Sequence, residues 1–159
     1  MSKTKVLPKP PASLDRLEEV RSAVPLVPGS VDDCCTRLQG RAGVPSRDGA
    51  REWLTFLDAL GLATEGDRGF SRTREDPDEA TLAGRFRERV FLVEDVLGAL
   101  EEDLQEADAV FEAVRDEVPQ WERSRHTDWE GEWRERVYRI LEWAALFGLA
   151  ERGDLQYRR

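Results

Sequence analysis

The chain ends the way its middle ends. Shifted by 87 residues, GLATEGDRGFSR at 61–72 lies over GLAERGDLQYRR at 148–159 with six identities in twelve positions. Gly61, Leu62, Ala63, Gly66, Asp67 and Arg72 recur as Gly148, Leu149, Ala150, Gly153, Asp154 and Arg159, and Phe70 falls opposite Tyr157. Each copy follows a helical run with an apolar stripe, so any fold has to build the same corner twice. Two readings meet that demand: two similar units in tandem, or two such corners inside one irregular α-rich domain. A fainter echo, LEEVRSAVP at 17–25 against FEAVRDEVP at 111–119, sits at another offset.

Local patterning supplies the elements. Residues 1–12 hold three prolines, all three lysines and no periodicity, which predicts a disordered lead. Ser13 is placed to cap LDRLEEVRSAV, and Pro25 stops that helix because the residue before proline disfavours the α region. Ser30 before VDDCCTRLQGRAG and Ser46 before RDGAREWLTFLDAL are further N-cap candidates. Ala50, Trp53, Leu54, Leu57 and Leu60 then share one face at helical spacing. LATEGDRGFSRT follows, a Gly-Asp pair and a second Gly between β-compatible runs, and predicts a small hairpin.

The later part starts at Asp76-Pro77-Asp78-Glu79, read as cap, N1 proline and N3 glutamate. Leu82, Phe86, Val90, Val93, Leu97, Leu100 and Leu104 make a continuous stripe, which predicts one long helix. ADAVFEAVRDEV is a further helix ending before Pro119. Thr127 and Glu130 form a capping box ahead of WEGEWRERVYRILEWAALF.

Helices followed by a hairpin, twice over, resemble winged helix-turn-helix units in tandem. The expected fold is mainly α with small β-hairpins: unit 1 at 13–74, and unit 2 at 77–159 with a long leading helix. The resemblance implies a third helix that enters the DNA major groove and a hairpin, the wing, that lies along the backbone. Carried onto this chain, it makes Ser46, Arg47 and Arg51 the helix contacts and Arg68, Arg72 and Arg74 the wing contacts. Arg134, Arg139, Arg152, Arg158 and Arg159 are their counterparts in the second unit. Acids share those faces, among them Asp48, Glu52 and Asp58, and later Asp128, Glu130, Glu132, Glu135 and Glu142. The arginines therefore have two readings, phosphate contacts or ordinary ion pairs.

Charge sharpens the contrast between the halves. The net charge is −9, with only three Lys against 24 basic residues in all, and Asn is absent. Such acidic, Lys-poor composition resembles proteins of salt-accumulating extreme halophiles, where carboxylates keep a surface hydrated while screening shortens to a few ångströms. An acidic protein of a GC-rich mesophile is the alternative. Residues 1–76 balance 12 basic against 12 acidic side chains, so the whole surplus lies in 77–159. Trp129 and Trp133 fall at core spacing; Trp121 and Trp143 lie off that stripe and are candidate interface residues for a dimer or protein partner.

Residues for chemistry are scarce. His126 is the single histidine and sits in a polar loop, so no histidine-based triad suggests itself. Cys34 and Cys35 cannot complete a zinc site without further ligands, and their helical offset predicts one core and one flanking side chain. No nucleotide-binding loop or calcium loop occurs, and no apolar run reaches the length of a membrane span. No metal, cofactor or membrane partner is expected, and the cytoplasm is the expected compartment. The resemblance implies a non-enzymatic, transcription-associated protein that binds double-stranded DNA. The alternative is a protein–protein adaptor or dimerisation module on the same frame. If the carboxylates are a halophilic device, dialysis from molar salt to ~0.1 M should lower the melting midpoint as repulsion among Glu101, Glu102, Asp103, Glu106 and Asp108 is unscreened. An unchanged midpoint by circular dichroism contradicts that reading.

Overall fold

Ser30 and Ser46 begin helices as their positions predict: their hydroxyls accept from the backbone N–H of Asp33 at 3.1 Å and of Gly49 at 3.0 Å. The computed structural model describes residues 3–159 and divides the chain into two units, with the break between Val90 and Phe91. The first contains α1 (Asp15–Ala23), α2 (Val31–Ala42), α3 (Arg47–Ala59), β1 (Ala63–Gly66), β2 (Gly69–Arg72) and α4 (Glu79–Arg89). Its core is filled by Val20, Cys34, Leu38, Leu54, Phe56, Leu57 and Phe70. Burying each large side chain contributes on the order of 1.5–3 kcal/mol.

The hairpin β1–β2 turns through Asp67 and Arg68, with Gly66 opposite Gly69. Its inner strand is fastened to the connection between α1 and α2: Gly29 and Phe70 exchange two backbone hydrogen bonds, both 2.9 Å. Gly69, at φ +111°, lies so close that a Cβ would overlap the Gly29 carbonyl.

The second unit contains α5 (Val93–Ala99), β3 (Gln105–Glu106), α6 (Ala107–Val114), a 3-10 turn at Arg115–Glu117, α7 (Gln120–Arg123), α8 (Trp129–Leu146), β4 (Glu151–Gly153) and β5 (Gln156–Arg158). Its sheet is antiparallel in the order β3-β5-β4, with Gln105 opposite Tyr157. That pairing occupies the place of Gly29 and Phe70.

The units share one element order, helix–helix–helix–hairpin. Val31 and Ala107 open equivalent helices at an offset of 76, and Ala59 and Leu146 close equivalent helices at an offset of 87. They differ in a longer connection in the second unit, which holds α7, and in α4, which follows the first wing alone. Cys34 and Cys35 thus match Val110 and Phe111, while Phe56 matches Trp143 and Phe70 matches Tyr157, and all eight are buried. The echo between 17–25 and 111–119 joins a first helix to a second one and has no structural counterpart.

Several sequence expectations are corrected. The lead is ordered over residues 3–12: Thr4 N–H donates to the Arg89 carbonyl at 2.9 Å, and Leu7 is 3% exposed, so its apolar side chain holds the segment down. Residues 1–2 of that lead lie outside the described residues. The long leading helix is two helices. Val90 is extended and Leu92 has φ 77°, so the stripe is cut where its two ends serve two different cores. α4 packs within the first unit, through Phe86 edge-on to Phe56 at 6.2 Å and through Arg85, which donates to the Leu60 carbonyl at 2.9 Å.

Three caps move as well. Leu14 rather than Ser13 precedes α1, while Asp78 accepts from Thr81 at 2.8 Å and Asp128 accepts from Gly131 at 3.3 Å. Trp143 is no interface residue: it is fully buried and stacks on Phe147 at 5.9 Å, because the inward face of α8 is wider than the Trp129–Trp133 stripe. Both cysteines are buried, not one. Burial pushes both thiols above their ordinary range.

Replacing Gly69 by Ala should lower the unfolding free energy by at least about 2 kcal/mol, since the residue is both left-handed and pressed on backbone. Gly66→Ala, with open space around it, should stay within about 0.5 kcal/mol. Urea titrations of both variants in molar KCl check this, and equal losses contradict it.

Candidate nucleic-acid interface

The cap at Ser46 fixes where α3 begins, and so which side chains its first turns present. Arg47, Asp48 and Arg51 are exposed there. Arg47 is engaged by the Asp32 carboxylate on α2. Arg51 is in no ion pair among the described residues. Farther along, partial burial and then the Glu65 carboxylate push the Asp58 carboxyl up.

On the wing, Arg68 occupies the exposed loop between β1 and β2, and Arg74 lies exposed beyond β2. Neither forms an ion pair among the described residues. Arg72 sits lower and half-buried. Its backbone N–H donates to the Pro25 carbonyl at 2.7 Å, and its Nε is buried without a hydrogen-bond partner. The structure therefore leaves Arg51, Arg68 and Arg74 as uncommitted guanidinium groups, ties Arg47 to Asp32, and sets Arg72 at the base of the wing.

The second unit spends its arginines internally. Arg134 reaches Glu112 at 2.7 Å and Asp108 at 3.4 Å, and its guanidinium lies 4.6 Å over the Phe111 ring. Arg115 bridges Glu112 and Glu130, at 3.1 and 2.7 Å. Hydrogen bonds from Arg115, then Arg134, hold the Glu112 carboxyl below the usual carboxylate range. Arg139 pairs with Glu135 at 3.1 Å, Arg152 with Glu142 at 2.8 Å, and Arg158 with Glu151 at 2.6 Å. Tyr157 also donates its hydroxyl to Glu142, and burial first, that hydrogen bond second, raise its pKa far above the tyrosine range. Arg159 reaches the Gly98 carbonyl at 3.3 Å. Each exposed pair is worth ~0–1 kcal/mol, yet together they decide which cations face outward.

The remaining candidates separate cleanly. Trp121, on α7, is 55% exposed. His126 is half-exposed, with Nε2 at 3.8 Å from Glu132. Among the described residues no group of three or more His, Cys, Asp or Glu is placed to hold a metal ion, and no helix is long and apolar enough to cross a membrane.

Sequence reasoning missed β3, the Arg47–Asp32 pair and Tyr138. The offset of 87 was the signal for the last, since it places Tyr138 where the first unit has Arg51. No curated protein and no solved structure gave a match. A family model described as the halobacterial double winged helix domain matches residues 2–159, and the chain belongs to that family.

Proposed function

We propose that the chain is a non-enzymatic, transcription-associated protein of the cytoplasm that binds double-stranded DNA through its first unit. Winged-helix units dock a helix in the major groove and lay the wing on the backbone. The observation that carries the reading is the contrast in arginine use. Arg51, Arg68 and Arg74 stand outside ion pairs on the helix and wing of a unit whose charges balance. The second unit ties the arginines of its own third helix and wing, Arg134, Arg152 and Arg158, to carboxylates. Uncommitted guanidiniums can meet phosphates without first breaking an intramolecular pair. The surplus of acids beyond Val90 repels a polyanion, and brief screening at molar salt weakens that repulsion without removing it at contact.

A second reading, the adaptor, is favoured by the exposed apolar side chains Trp121, Leu104 and Leu155 of the second unit. Anisotropy with a labelled duplex across a series of KCl concentrations separates the two. Arg51→Gln, Arg68→Gln and Arg74→Gln should each weaken binding to every sequence and reduce the salt slope by about one. Arg158→Gln should leave affinity within about twofold. The reverse order overturns the division between units, and no binding by the intact chain at any salt leaves the adaptor.

A further inference from the structure

In the second unit the wing, the start of α6 and the exposed face of α8 border an open cleft of about 540 Å³, lined among others by Glu106, Asp108, Tyr138, Asp154 and Leu155. Leu155 sits at the wing tip, 65% exposed. Asp108 meets Arg134 at 3.4 Å, whereas Glu106 and Asp154 are in no ion pair among the described residues. Leu104, also exposed, lies against Gly153 and extends the apolar surface along the wing.

The equivalent positions of the first unit give this cleft its meaning. Tyr138 stands where that unit has Arg51, Leu155 where it has Arg68, and Glu106 where it has Ser30. On one frame, two uncommitted cations have become a tyrosine and a leucine, and a neutral cap has become a carboxylate. An aromatic and an aliphatic side chain with carboxylates around them disfavour phosphate and suit a cation-bearing chain with an apolar side chain of its own.

We propose that this cleft docks a basic polypeptide segment from a protein partner, an apolar residue resting on Leu155 and Tyr138 and flanking arginines or lysines meeting Glu106 and Asp154. Charge complementarity selects that occupant over a second copy docked cleft to cleft, which would bring carboxylates against carboxylates. With screening down to a few ångströms at molar salt, only carboxylates in direct contact with the segment contribute, and the apolar anchor carries most of the affinity. The proposal does not rest on DNA binding by the first unit: failure of that reading shows only in the duplex assay with the arginine variants.

The test is anisotropy of a short labelled peptide, arginines on either side of a leucine, titrated with the intact protein in ~1 M KCl. The same peptide with glutamate for arginine, or alanine for leucine, is the control. The arginine–leucine peptide should bind, both controls should bind at least about tenfold more weakly, and Leu155→Arg should weaken the arginine–leucine peptide by about tenfold or more. Leu155→Arg restores the residue type of the first unit at an exposed position, and circular dichroism checks that the variant is folded. Tyr138→Arg provides the second, independent variant. Absence of binding, equal binding of the glutamate peptide, or binding unaffected by both variants overturns the proposal. So does a concentration-dependent dimer in sedimentation that Leu155→Arg dissolves, which would make the occupant a second copy. Duplex binding that Leu155→Ala abolishes would make it DNA and overturn it equally.

Discussion

Each unit is closed by one backbone pairing, between the connection after its first helix and the central aromatic residue of its wing: Gly29 with Phe70, and Gln105 with Tyr157. The pairing satisfies backbone groups that would otherwise be buried unpaired. It also turns the aromatic ring inward, where Phe70 is 7% exposed and Tyr157 fully buried. With the inner strand held there, the wing has one position relative to the second and third helices. Everything displayed by wing and third helix follows from that placement.

Two surfaces with opposite tendencies then grow on one frame. The cores are interchangeable in kind: Cys34 for Val110, Cys35 for Phe111, Phe56 for Trp143. The vicinal cysteines are thereby explained as packing residues, at positions that are aliphatic and aromatic in the other unit. The outward positions diverge instead. Where the first unit leaves Arg51 and Arg68 uncommitted, the second has Tyr138 and Leu155, and Arg134, Arg139, Arg152 and Arg158 are held by Glu112, Glu135, Glu142 and Glu151. Exposed positions change without disturbing the core, so a duplicated frame is free to acquire a second role.

Much of this was legible before any coordinates. The repeated ending marked both hairpins, and Ser30 and Ser46 marked two helix starts, because turn chemistry and capping are local. The break at Val90–Leu92 was hidden because the apolar stripe runs through it unbroken in periodicity, and only the demands of two cores cut it. Trp143 looked peripheral for a related reason: a helix packed on more than one neighbour buries a wider face than one stripe. Its match to Phe56 at the offset of 87 was the available clue. At the site, the identities of the arginines were readable but their commitments were not. An ion pair such as Arg152 with Glu142 joins a hairpin to a helix through tertiary geometry, which composition and spacing do not encode.

The central claim is that the third-helix and wing arginines of the second unit are held by carboxylates, whereas Arg51, Arg68 and Arg74 of the first are not. Hydrogen exchange at arginine Nε–Hε groups, followed by 15N NMR on the intact protein in molar KCl, reads that commitment directly. Arg139 donates through Nε to Glu135 at 3.1 Å and Arg152 holds its Nε 2.8 Å from the Glu142 carboxylate in an ion pair, whereas Arg51, Arg68 and Arg74 have no such partner among the described residues. The account predicts slow exchange for the first two and fast exchange for the other three. Fast exchange throughout, or protection of Arg51 and Arg68 in the absence of DNA, would contradict it.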